Sequence, residues 1–237
     1  MIKVNVILDV KKGFVLNYNY NYKVLKNLYD VMDKIDVDFS KRIHDDKGIT
    51  LFNFNLYIDN AEYKDKIYVK KGFINLTLSG KKEIINTMVK GIMKHGFDLE
   101  NENLKAKDVQ VVKEKRIRKV CLYNVRTPIV TTKNSKFINI YDSEDFFTNL
   151  GMNLLKKYKL IYGKDYKGEL YFDIEDVFDI KKKIINNVKG GKLVGYSNFN
   201  IYIEADEDMQ RVAYNCGLGE RNTMGCGNLK FIKGLNE

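Results

Sequence analysis

The chain has 237 residues, of which 44% are hydrophobic, and its 41 basic and 31 acidic side chains give a formal charge of +10. This hydrophobic content is enough for a buried core, so the composition excludes a disordered or fibrous protein, and the length allows one large domain or two small ones. No stretch approaches the roughly 20 apolar residues of a membrane-spanning helix, and Asp9, Lys11 and Lys12 interrupt the apolar N-terminal stretch, so we expect a cytoplasmic protein.

Hydrophobic periodicity in the first half predicts strands and helices in the order β-α-β-β-α-β. The predicted elements are a strand over 2–8, a helix over 25–35, a helical turn over 39–43, strands over 52–58 and 67–79, a helix over 85–96 and a strand within 104–121. Asp38 is predicted to cap the helical turn and Gly48 to end it, and Gly72 is predicted to introduce a bulge into its strand.

The second half repeats this order without obvious sequence similarity. Its predicted elements are a strand over 122–130 that residues 137–141 extend, a helix that Ser143 caps, strands over 169–180 and 192–204, a helix over 209–216 and a final strand over 228–233. The order is that of a ferredoxin-like domain. We therefore predict an α+β protein of two tandem ferredoxin-like (βαββαβ) domains, residues 1–121 and 122–237.

Cysteine and histidine are scarce in this sequence. The three cysteines, Cys121, Cys216 and Cys226, are odd in number and widely spaced, which favours free thiols over disulfides or a zinc site. The two histidines are His44 and His95, and His95 lies at a predicted helix C-terminus, where it compensates the helix dipole. We expect no metal and no cofactor.

The positive charge is concentrated in the first half of the chain. Residues 1–121 carry 24 basic and 16 acidic side chains, whereas residues 122–237 carry 17 and 15. Such an excess favours an anionic partner, with nucleic acid as the first candidate. The densest basic run covers residues 113–119 and includes Lys115, Arg116 and Arg118. A solvated strand or loop and a phosphate-binding surface both fit this run.

The most unusual segment, GLGERNTMGCG, covers residues 217–227, between the last predicted helix and the last predicted strand. Its four glycines permit positive φ angles and close approach of another backbone, and Arg221 with exposed amides could bind a phosphate. The segment lacks the third glycine of a dinucleotide fingerprint and the GK[ST] of a Walker loop. From the residues alone, a tight structural turn and an anion-binding loop fit equally well.

This segment resembles the C-terminal loop of the repeat-associated RNA-binding proteins of CRISPR systems, which reads glycine–hydrophobic–glycine, five residues, glycine–hydrophobic–glycine. Within that superfamily, the chain is most similar to the sixth CRISPR-associated protein family, the endoribonucleases that cut precursor CRISPR RNA within its repeats. Tandem ferredoxin-like domains and a histidine after the first helix, in RIHDDKGITLFNFNL, are further points of resemblance. The resemblance spans essentially the whole chain.

The resemblance implies a metal-independent cleavage, in which the ribose 2′-hydroxyl attacks the neighbouring phosphate and leaves a cyclic phosphate and a 5′-hydroxyl. His44 matches the family's catalytic histidine, a residue type suited to general acid or base catalysis near neutral pH. Tyr29 matches an active-site tyrosine of the family. Because Tyr29 also falls on the apolar stripe of its predicted helix, simple packing is the alternative.

The third catalytic position departs from the family pattern. Some members have a lysine shortly after the glycine that follows the histidine, and here Thr50 occupies the matching position. Lys47 is our candidate for the missing positive charge, and a solvated side chain is the alternative. Thr50 leaves open a second function, that of a non-cleaving RNA-binding subunit of a CRISPR effector complex. A general RNA-binding protein is less favoured, because the K/R-G-F/Y-G/A-F-V-x-F/Y signature is absent.

The resemblance implies CRISPR repeat RNA as the partner of this chain. Effector-complex subunits and a second copy of the chain are further partners that the sequence leaves open. The predicted RNA contacts come from the glycine-rich segment and the basic run, and they are Gly217, Gly219, Arg221, Asn222, Gly225, Gly227, Lys115, Arg116 and Arg118.

Overall fold

The computed structural model of the chain describes residues 1–45, 51–113, 115–175, 180–186 and 191–235. The chain forms two compact units. The N-terminal unit comprises Ile2–Thr50 and Phe54–Val112, and the C-terminal unit comprises Lys113–Glu237 with Met1 and Leu51–Asn53. The boundary predicted at 121/122 falls inside a strand of the C-terminal unit, because the last strand of the first sheet already ends at Val111.

The N-terminal unit is built on an antiparallel sheet. Its elements are β1 (Ile2–Asp9), β2 (Val15–Leu16), α1 (Tyr20–Asp33), α2 (Val37–Asp45), β3 (Phe52–Tyr57), β4 (Ala61–Tyr63), β5 (Ile67–Val69), β6 (Phe73–Gly80), α3 (Lys82–His95), β7 (Phe97–Leu99), β8 (Glu102–Leu104) and β9 (Ala106–Val111). The main sheet has the order β3-β6-β1-β9, which is ferredoxin-like, as predicted. The short strands are additions to the predicted elements, whereas α2 corresponds to the predicted helical turn over 39–43.

The strand predicted over 67–79 is in fact two strands that belong to different sheets. β5 pairs with β2 and β4 in a small three-stranded sheet, whereas β6 pairs with β1. The chain turns between them, and there the Gly72 carbonyl accepts a hydrogen bond from Val10 N at 3.0 Å. The change of parity at Gly72 therefore marks a change of sheet and not a bulge.

Two long helices of the N-terminal unit each bury one apolar face. The buried residues of α1 are Val24, Leu28, Val31 and Met32, and those of α3 include Ile84, Ile85, Met88 and Ile92. The two helices approach closely at Gly91, where a Cβ atom would overlap the backbone of Val31. The predicted end of α3 is confirmed, since Gly96 follows its last residue and donates from its N–H to Ile92 O at 2.8 Å.

The short helix α2 begins two residues earlier than predicted and ends two residues later. Its N-cap is Asp36, whose Oδ1 accepts a hydrogen bond from Phe39 N at 2.9 Å and whose carbonyl accepts one from Ser40 N. Asp38, the predicted cap, lies in the first turn instead, where a negative charge complements the helix dipole. The predicted end at Gly48 lies outside the described residues.

The C-terminal unit repeats the plan of the N-terminal unit. Its elements are β10 (Val120–Val125), β11 (Thr132–Lys133), β12 (Lys136–Phe137), α4 (Ser143–Tyr162), β13 (Tyr171–Ile174), β14 (Lys181–Asn186), β15 (Lys192–Ser197), β16 (Asn200–Glu204), α5 (Glu207–Cys216), a 3-10 turn (Asn222–Met224) and β17 (Leu229–Leu235). The main sheet has the order β13-β16-β10-β17, so the strand that opens the unit and the strand that closes it are neighbours, as β1 and β9 are.

Three predictions for the C-terminal unit are corrected. Residues 137–141 do not extend β10, because β11 and β12 form a separate hairpin. The apolar–polar alternation over 137–141 arises because Ile138 and Ile140, which follow the hairpin, insert into the core. Ser143 is the first residue of α4, and the cap position belongs to Asp142, which makes no side-chain cap bond. The ranges predicted as two strands, 169–180 and 192–204, contain three strands, β13, β15 and β16, and β15 forms a separate hairpin with β14, which was not predicted.

The cores of both units bury the expected residue types. The prediction for the cysteines is confirmed, because Cys121, Cys216 and Cys226 are all buried and free. The buried polar side chains include Gln210, which accepts a hydrogen bond from Tyr123 Oη at 3.0 Å and donates to the Ile203 carbonyl. No helix in the described part of the chain is both long and apolar enough to cross a membrane.

Candidate functional sites

The aromatic rings of Tyr29 and His44, the two leading candidates for catalysis, are in contact within the N-terminal unit. Their ring centroids are 5.3 Å apart, and the ring planes meet at 81°, an edge-to-face arrangement. Tyr29 lies on α1 and is half-buried, whereas His44 lies in the last turn of α2 and is exposed. The structure therefore brings together two side chains that lie 15 positions apart in the sequence. Their catalytic roles stay predictions.

A tight turn between α1 and α2 brings the rings of Tyr29 and His44 into contact. Asp36 N donates to Met32 O at 2.8 Å and Ile35 N donates to the same carbonyl at 2.9 Å, so the chain reverses directly after α1. Phe39 and Ser40 are buried and hold the inner face of α2, which leaves the last turn at the surface. The sequence pattern predicts a helical turn here. It does not predict that this turn places His44 beside Tyr29.

The third catalytic candidate cannot be placed. Lys47 and Thr50 both lie outside the described residues. The described part of this site is therefore a tyrosine–histidine pair. In the parts of the chain that the structure describes, no group of three or more His, Cys, Asp or Glu side chains is placed to hold a metal ion. His95 occupies the last position of α3, as predicted.

The glycine-rich segment of the C-terminal unit, residues 217–227, needs its glycines for steric reasons. All four have positive φ angles, between 65° and 81°. A Cβ atom on Gly227 would overlap the Leu218 carbonyl oxygen, and one on Gly219 would lie 2.5 Å from the Val130 carbonyl oxygen. A side chain at either position would therefore combine strained backbone with a clash. The structural-turn interpretation of this loop is supported by its geometry.

Most of this loop is buried, and its N–H groups largely donate within the unit. Leu218 N donates to Gly227 O at 2.9 Å, Glu220 N to Val130 O at 2.8 Å, and Gly227 N to Pro128 O at 2.9 Å. These amides are committed to the loop's own closure and do not face a phosphate. Of the predicted RNA contacts here, Arg221 is exposed, with a φ of 59° in the left-handed region.

Asn222, a predicted RNA contact, has an internal role instead. Its side chain is 5% exposed, and Nδ2 donates to the carbonyls of Leu218 at 3.1 Å and Cys226 at 3.0 Å. Asn53, the second residue of β3, belongs by its contacts to the C-terminal unit, and it donates from Nδ2 to the Cys226 carbonyl at 2.9 Å. Two asparagine amides thus bind the carbonyls that the closely packed loop turns inward, because buried carbonyls need donors.

Lys157 of α4 is the residue of this site that the sequence analysis missed. Its side chain is fully buried, and Nζ donates to Gly217 O at 2.7 Å and Gly219 O at 3.1 Å. A signal was available, because Lys157 lies on the apolar stripe of α4 with Leu150 and Leu154. Desolvation lowers the pKa of Lys157 to about 7, although the nearby Cys216 and Glu220 oppose this shift.

The basic run belongs to the C-terminal unit and not to the N-terminal domain in which it was predicted. Lys115 and Arg116 are exposed, in keeping with either interpretation of the run. Arg118 is half-buried: its backbone N–H donates to Cys121 Sγ at 3.3 Å, and a Cβ atom on Gly234 would lie 2.5 Å from Arg118 Cγ. The stem of Arg118 therefore packs against β17, and Lys115 and Arg116 are the better candidates for RNA contact.

Comparison with known proteins identifies relatives along the whole chain. The family model described as CRISPR associated protein Cas6, C-terminal, matches residues 108–231, slightly more than half of the 237 residues. The CRISPR-associated endoribonuclease Cas6 1 of Methanocaldococcus jannaschii is 24% identical, and the match covers 99% of this chain and 94% of that protein. The CRISPR-associated endoribonuclease Cas6 of Pyrococcus furiosus is also 24% identical, over 94% of this chain and 86% of its own.

A solved structure described as "An RAMP protein binding different RNA substrates" shares the fold. It superposes with a TM-score of 0.83 at 20% identity, and the match covers 98% of this chain and 100% of that one. At this identity the likeness concerns the fold alone. The prediction of an α+β fold with tandem ferredoxin-like domains is confirmed by such neighbours.

The buried ammonium of Lys157 predicts how stability depends on pH. Between the lowered pKa of about 7 and the ordinary value of 10.5, the unfolded chain binds one more proton at this site than the folded chain does, so the free energy of unfolding rises with pH. Relative to a Lys157→Met variant, the protein should gain stability from pH 7 to pH 9, with a slope that approaches about 1.4 kcal/mol per pH unit.

Urea unfolding at pH 7, 8 and 9 measures this difference. Lys159→Met is the matched control, because Lys159 lies on the same helix but is exposed and paired with Asp165. The difference in free energy of unfolding between Lys159→Met and the parent protein should not change over this pH range. If the difference between Lys157→Met and the parent is also independent of pH, the lowered pKa of Lys157 is contradicted.

Proposed function

The chain belongs to the CRISPR-associated Cas6 family, and we propose on that premise that it is an endoribonuclease that cleaves precursor CRISPR RNA within its repeats. The names of its relatives from M. jannaschii and P. furiosus support this activity and make CRISPR repeat RNA the expected substrate. The single observation that carries the proposal is the contact between the Tyr29 and His44 rings, 5.3 Å apart. A cytoplasmic location belongs to the same proposal.

The proposed reaction is a transesterification within the RNA. The 2′-oxygen of the nucleotide upstream of the cleaved bond attacks the phosphorus as its proton leaves, and the bond from phosphorus to the 5′-oxygen breaks. The 5′-oxygen takes up a proton, so the products are a 2′,3′-cyclic phosphate and a 5′-hydroxyl. This chemistry needs a base, an acid and positive charge or hydrogen bonds on the phosphorane oxygens.

We assign proton transfer to His44, because an imidazole side chain can both accept and donate a proton in such a reaction. Its exposed position on α2 leaves it accessible to an RNA strand. Tyr29 is assigned a hydrogen bond from its hydroxyl to the phosphate or to the nucleophile. The edge-to-face contact supports this pairing, because it restricts the orientation of the imidazole. Lys47 stays our candidate for the positive charge on the phosphorane.

RNA binding outside the cleaved bond is assigned to exposed cations of the C-terminal unit. Arg221 is presented at the surface by a loop that its glycines and Lys157 hold in place. Lys115 and Arg116 of the basic run are two further exposed cations of the same unit. Arginine suits this task because its planar guanidinium can donate two parallel hydrogen bonds to a phosphate.

A non-cleaving RNA-binding subunit of a CRISPR effector complex is the second candidate function. Two observations favour it: Thr50 stands where some family members have a lysine, and a structural neighbour is described as an RAMP protein that binds different RNA substrates. Both functions use RNA contacts at the glycine-rich loop. Effector-complex subunits and a second copy of the chain stay predicted partners under either function.

The first test of the proposal is cleavage by a His44→Ala variant. Single-turnover cleavage of labelled repeat RNA should fall by about 10²–10⁴-fold, because a general acid or base acts in the transition state, while RNA affinity should stay within about twofold. His95→Ala, at the end of α3, is the matched control and should cut normally.

Two further conditions probe the chemistry of the same reaction. A 2′-deoxy substitution upstream of the cleaved phosphate should abolish cutting and preserve binding, and EDTA should have no effect on the rate. Cutting by His44→Ala at the parent rate, or cutting of the 2′-deoxy substrate at the same bond, would contradict the mechanism. Binding by the parent protein without any cutting would favour the second candidate function.

The role of Arg221 can be tested without disturbing the loop. Arg221→Gly suits the left-handed backbone at this position, so the variant should be unchanged in stability or more stable by up to about 1 kcal/mol. If Arg221 binds one phosphate, the slope of log affinity against log salt should become about 0.7 shallower. An unchanged slope in a correctly folded variant would assign the loop a purely structural role.

The basic run makes a similar prediction. Replacing Lys115 and Arg116 together by alanine should make the salt slope shallower by about 0.7 for each phosphate that the variant no longer binds. Lys181 and Lys182 of β14 are also exposed, and their double alanine variant is the control for a general reduction of charge. If both double variants change the slope equally, then the run has no special position toward RNA.

A further inference from the structure

A concave surface lies on the small sheet β2-β5-β4 of the N-terminal unit, and neither Tyr29 nor His44 lines it. Its volume is about 510 Å³, within the range of about 300–1,000 Å³ that is typical of sites for small molecules and cofactors. We name it the Tyr68 concavity after the one aromatic side chain in its lining, which consists of Lys12, Gly13, Glu62, Lys64, Tyr68, Val69 and Lys70.

Strand register explains why this face carries polar and aromatic side chains. Tyr68 of β5 lies opposite Glu62 of β4 and Val15 of β2, on the outward face of the sheet. The alternate positions face inward, where Leu16 and Ile67 are buried. One face of the sheet therefore buries Leu16 and Ile67, and the other carries the Tyr68 ring beside Glu62.

The tyrosine ring is held in a fixed position at the surface. Tyr68 is half-buried, and its hydroxyl donates to Asp65 Oδ1 at 3.0 Å. This hydrogen bond raises the pKa of Tyr68, so the ring stays neutral throughout the physiological range. A neutral ring in a fixed orientation provides the kind of flat surface on which a nucleobase stacks.

Three lysines line the concavity around this ring, and two carboxylates lie beside them: Asp65, which accepts the hydrogen bond of Tyr68, and Glu62. Glu62 contacts Lys64 Nζ at 2.7 Å and Lys70 Nζ at 3.4 Å through its two oxygens, so it holds two ammonium groups beside the ring. Lys12 is exposed and adds a third positive charge to the lining. Gly13 has no atom within 4 Å of its Cβ position, which leaves this side of the concavity open.

We propose that the Tyr68 concavity binds a single-stranded segment of the repeat RNA away from the cleaved bond, with a base on the Tyr68 ring and phosphates on Lys12, Lys64 and Lys70. This inference rests on the proposed function. Single-stranded RNA combines a planar group with a negative charge in every nucleotide, which is the combination that the lining matches. The carboxylates of an acidic polypeptide would pair with the lysines but would make no stacking contact with the Tyr68 ring.

The test measures the affinity of the full-length protein for repeat RNA that a 2′-deoxy substitution makes uncleavable. Tyr68→Leu, which keeps an apolar side chain but removes the aromatic ring, should bind at least about fivefold more weakly, the lower end of what one stacked base contributes. Tyr68→Phe keeps the ring and should bind within twofold of the parent protein. Tyr63→Leu is the matched control, because Tyr63 is exposed on the opposite face of the same sheet.

Two further measurements locate the RNA and test the lysines. Repeat RNA with 5-bromouridine should crosslink on irradiation to the peptide that contains Tyr68, and the Tyr68→Leu variant should not form this crosslink. Glu62→Gln removes the carboxylate that competes with phosphate for Lys64 and Lys70, so this variant should bind RNA more tightly. No change or a decrease of affinity in Glu62→Gln would contradict the phosphate contacts.

The outcomes separate this inference from the proposed function. If the parent protein cleaves repeat RNA but Tyr68→Leu binds within twofold of it and no crosslink maps to β5, the concavity is not an RNA site and the proposed function stands. Retention of polyglutamate that depends on Lys64 and Lys70, with unchanged RNA affinity, would also overturn the inference. If the parent protein neither binds nor cleaves repeat RNA, the proposed function itself is wrong.

Discussion

The hydrogen bonds from the buried ammonium of Lys157 to the carbonyls of Gly217 and Gly219 hold the glycine-rich loop together. Burying an ammonium is unfavourable unless it finds strong acceptors, and a loop whose carbonyls turn inward needs strong donors. Each group therefore satisfies a requirement of the other. Gly217 and Gly219 can turn their carbonyls toward α4 because both have positive φ angles, which explains why the lysine and the glycines occur together.

The catalytic pair that we propose depends on a contact of a different kind, made within one stretch of the chain. Tyr29 and His44 meet because α2 folds back directly after α1, and the carbonyl of Met32 and the cap at Asp36 fix that turn. The hydrogen bonds that set this turn and those that close the glycine-rich loop are made by different residues, so we expect that a substitution can disturb one without the other.

Sequence patterns predicted the parts of the fold that local periodicity determines. Both main sheets and the long helices were found, because their apolar residues recur with the period of the element. The errors arose where apolar alternation continues on both sides of a turn, so that separate elements resemble one strand. The strand over 67–79 hid a change of sheet at Gly72, and residues 137–141 alternated because Ile138 and Ile140 enter the core. Lys157 binds carbonyls 60 and 62 positions further along the chain, and Asn222 binds carbonyls within its own loop; periodicity records neither kind of contact.

The glycine pattern that reveals the family thus specifies the shape of a loop more than its chemistry. Its glycines, Asn222 and most of its amides are used in closing the loop, and Arg221 is the side chain that it exposes to solvent. A loop of this shape serves a protein that only binds RNA as well as one that also cuts it. The distinction between the two functions must therefore come from groups that can move protons. In the described part of the chain, the Tyr29–His44 pair best meets this requirement, and for this reason the proposed activity rests on that pair and not on the motif.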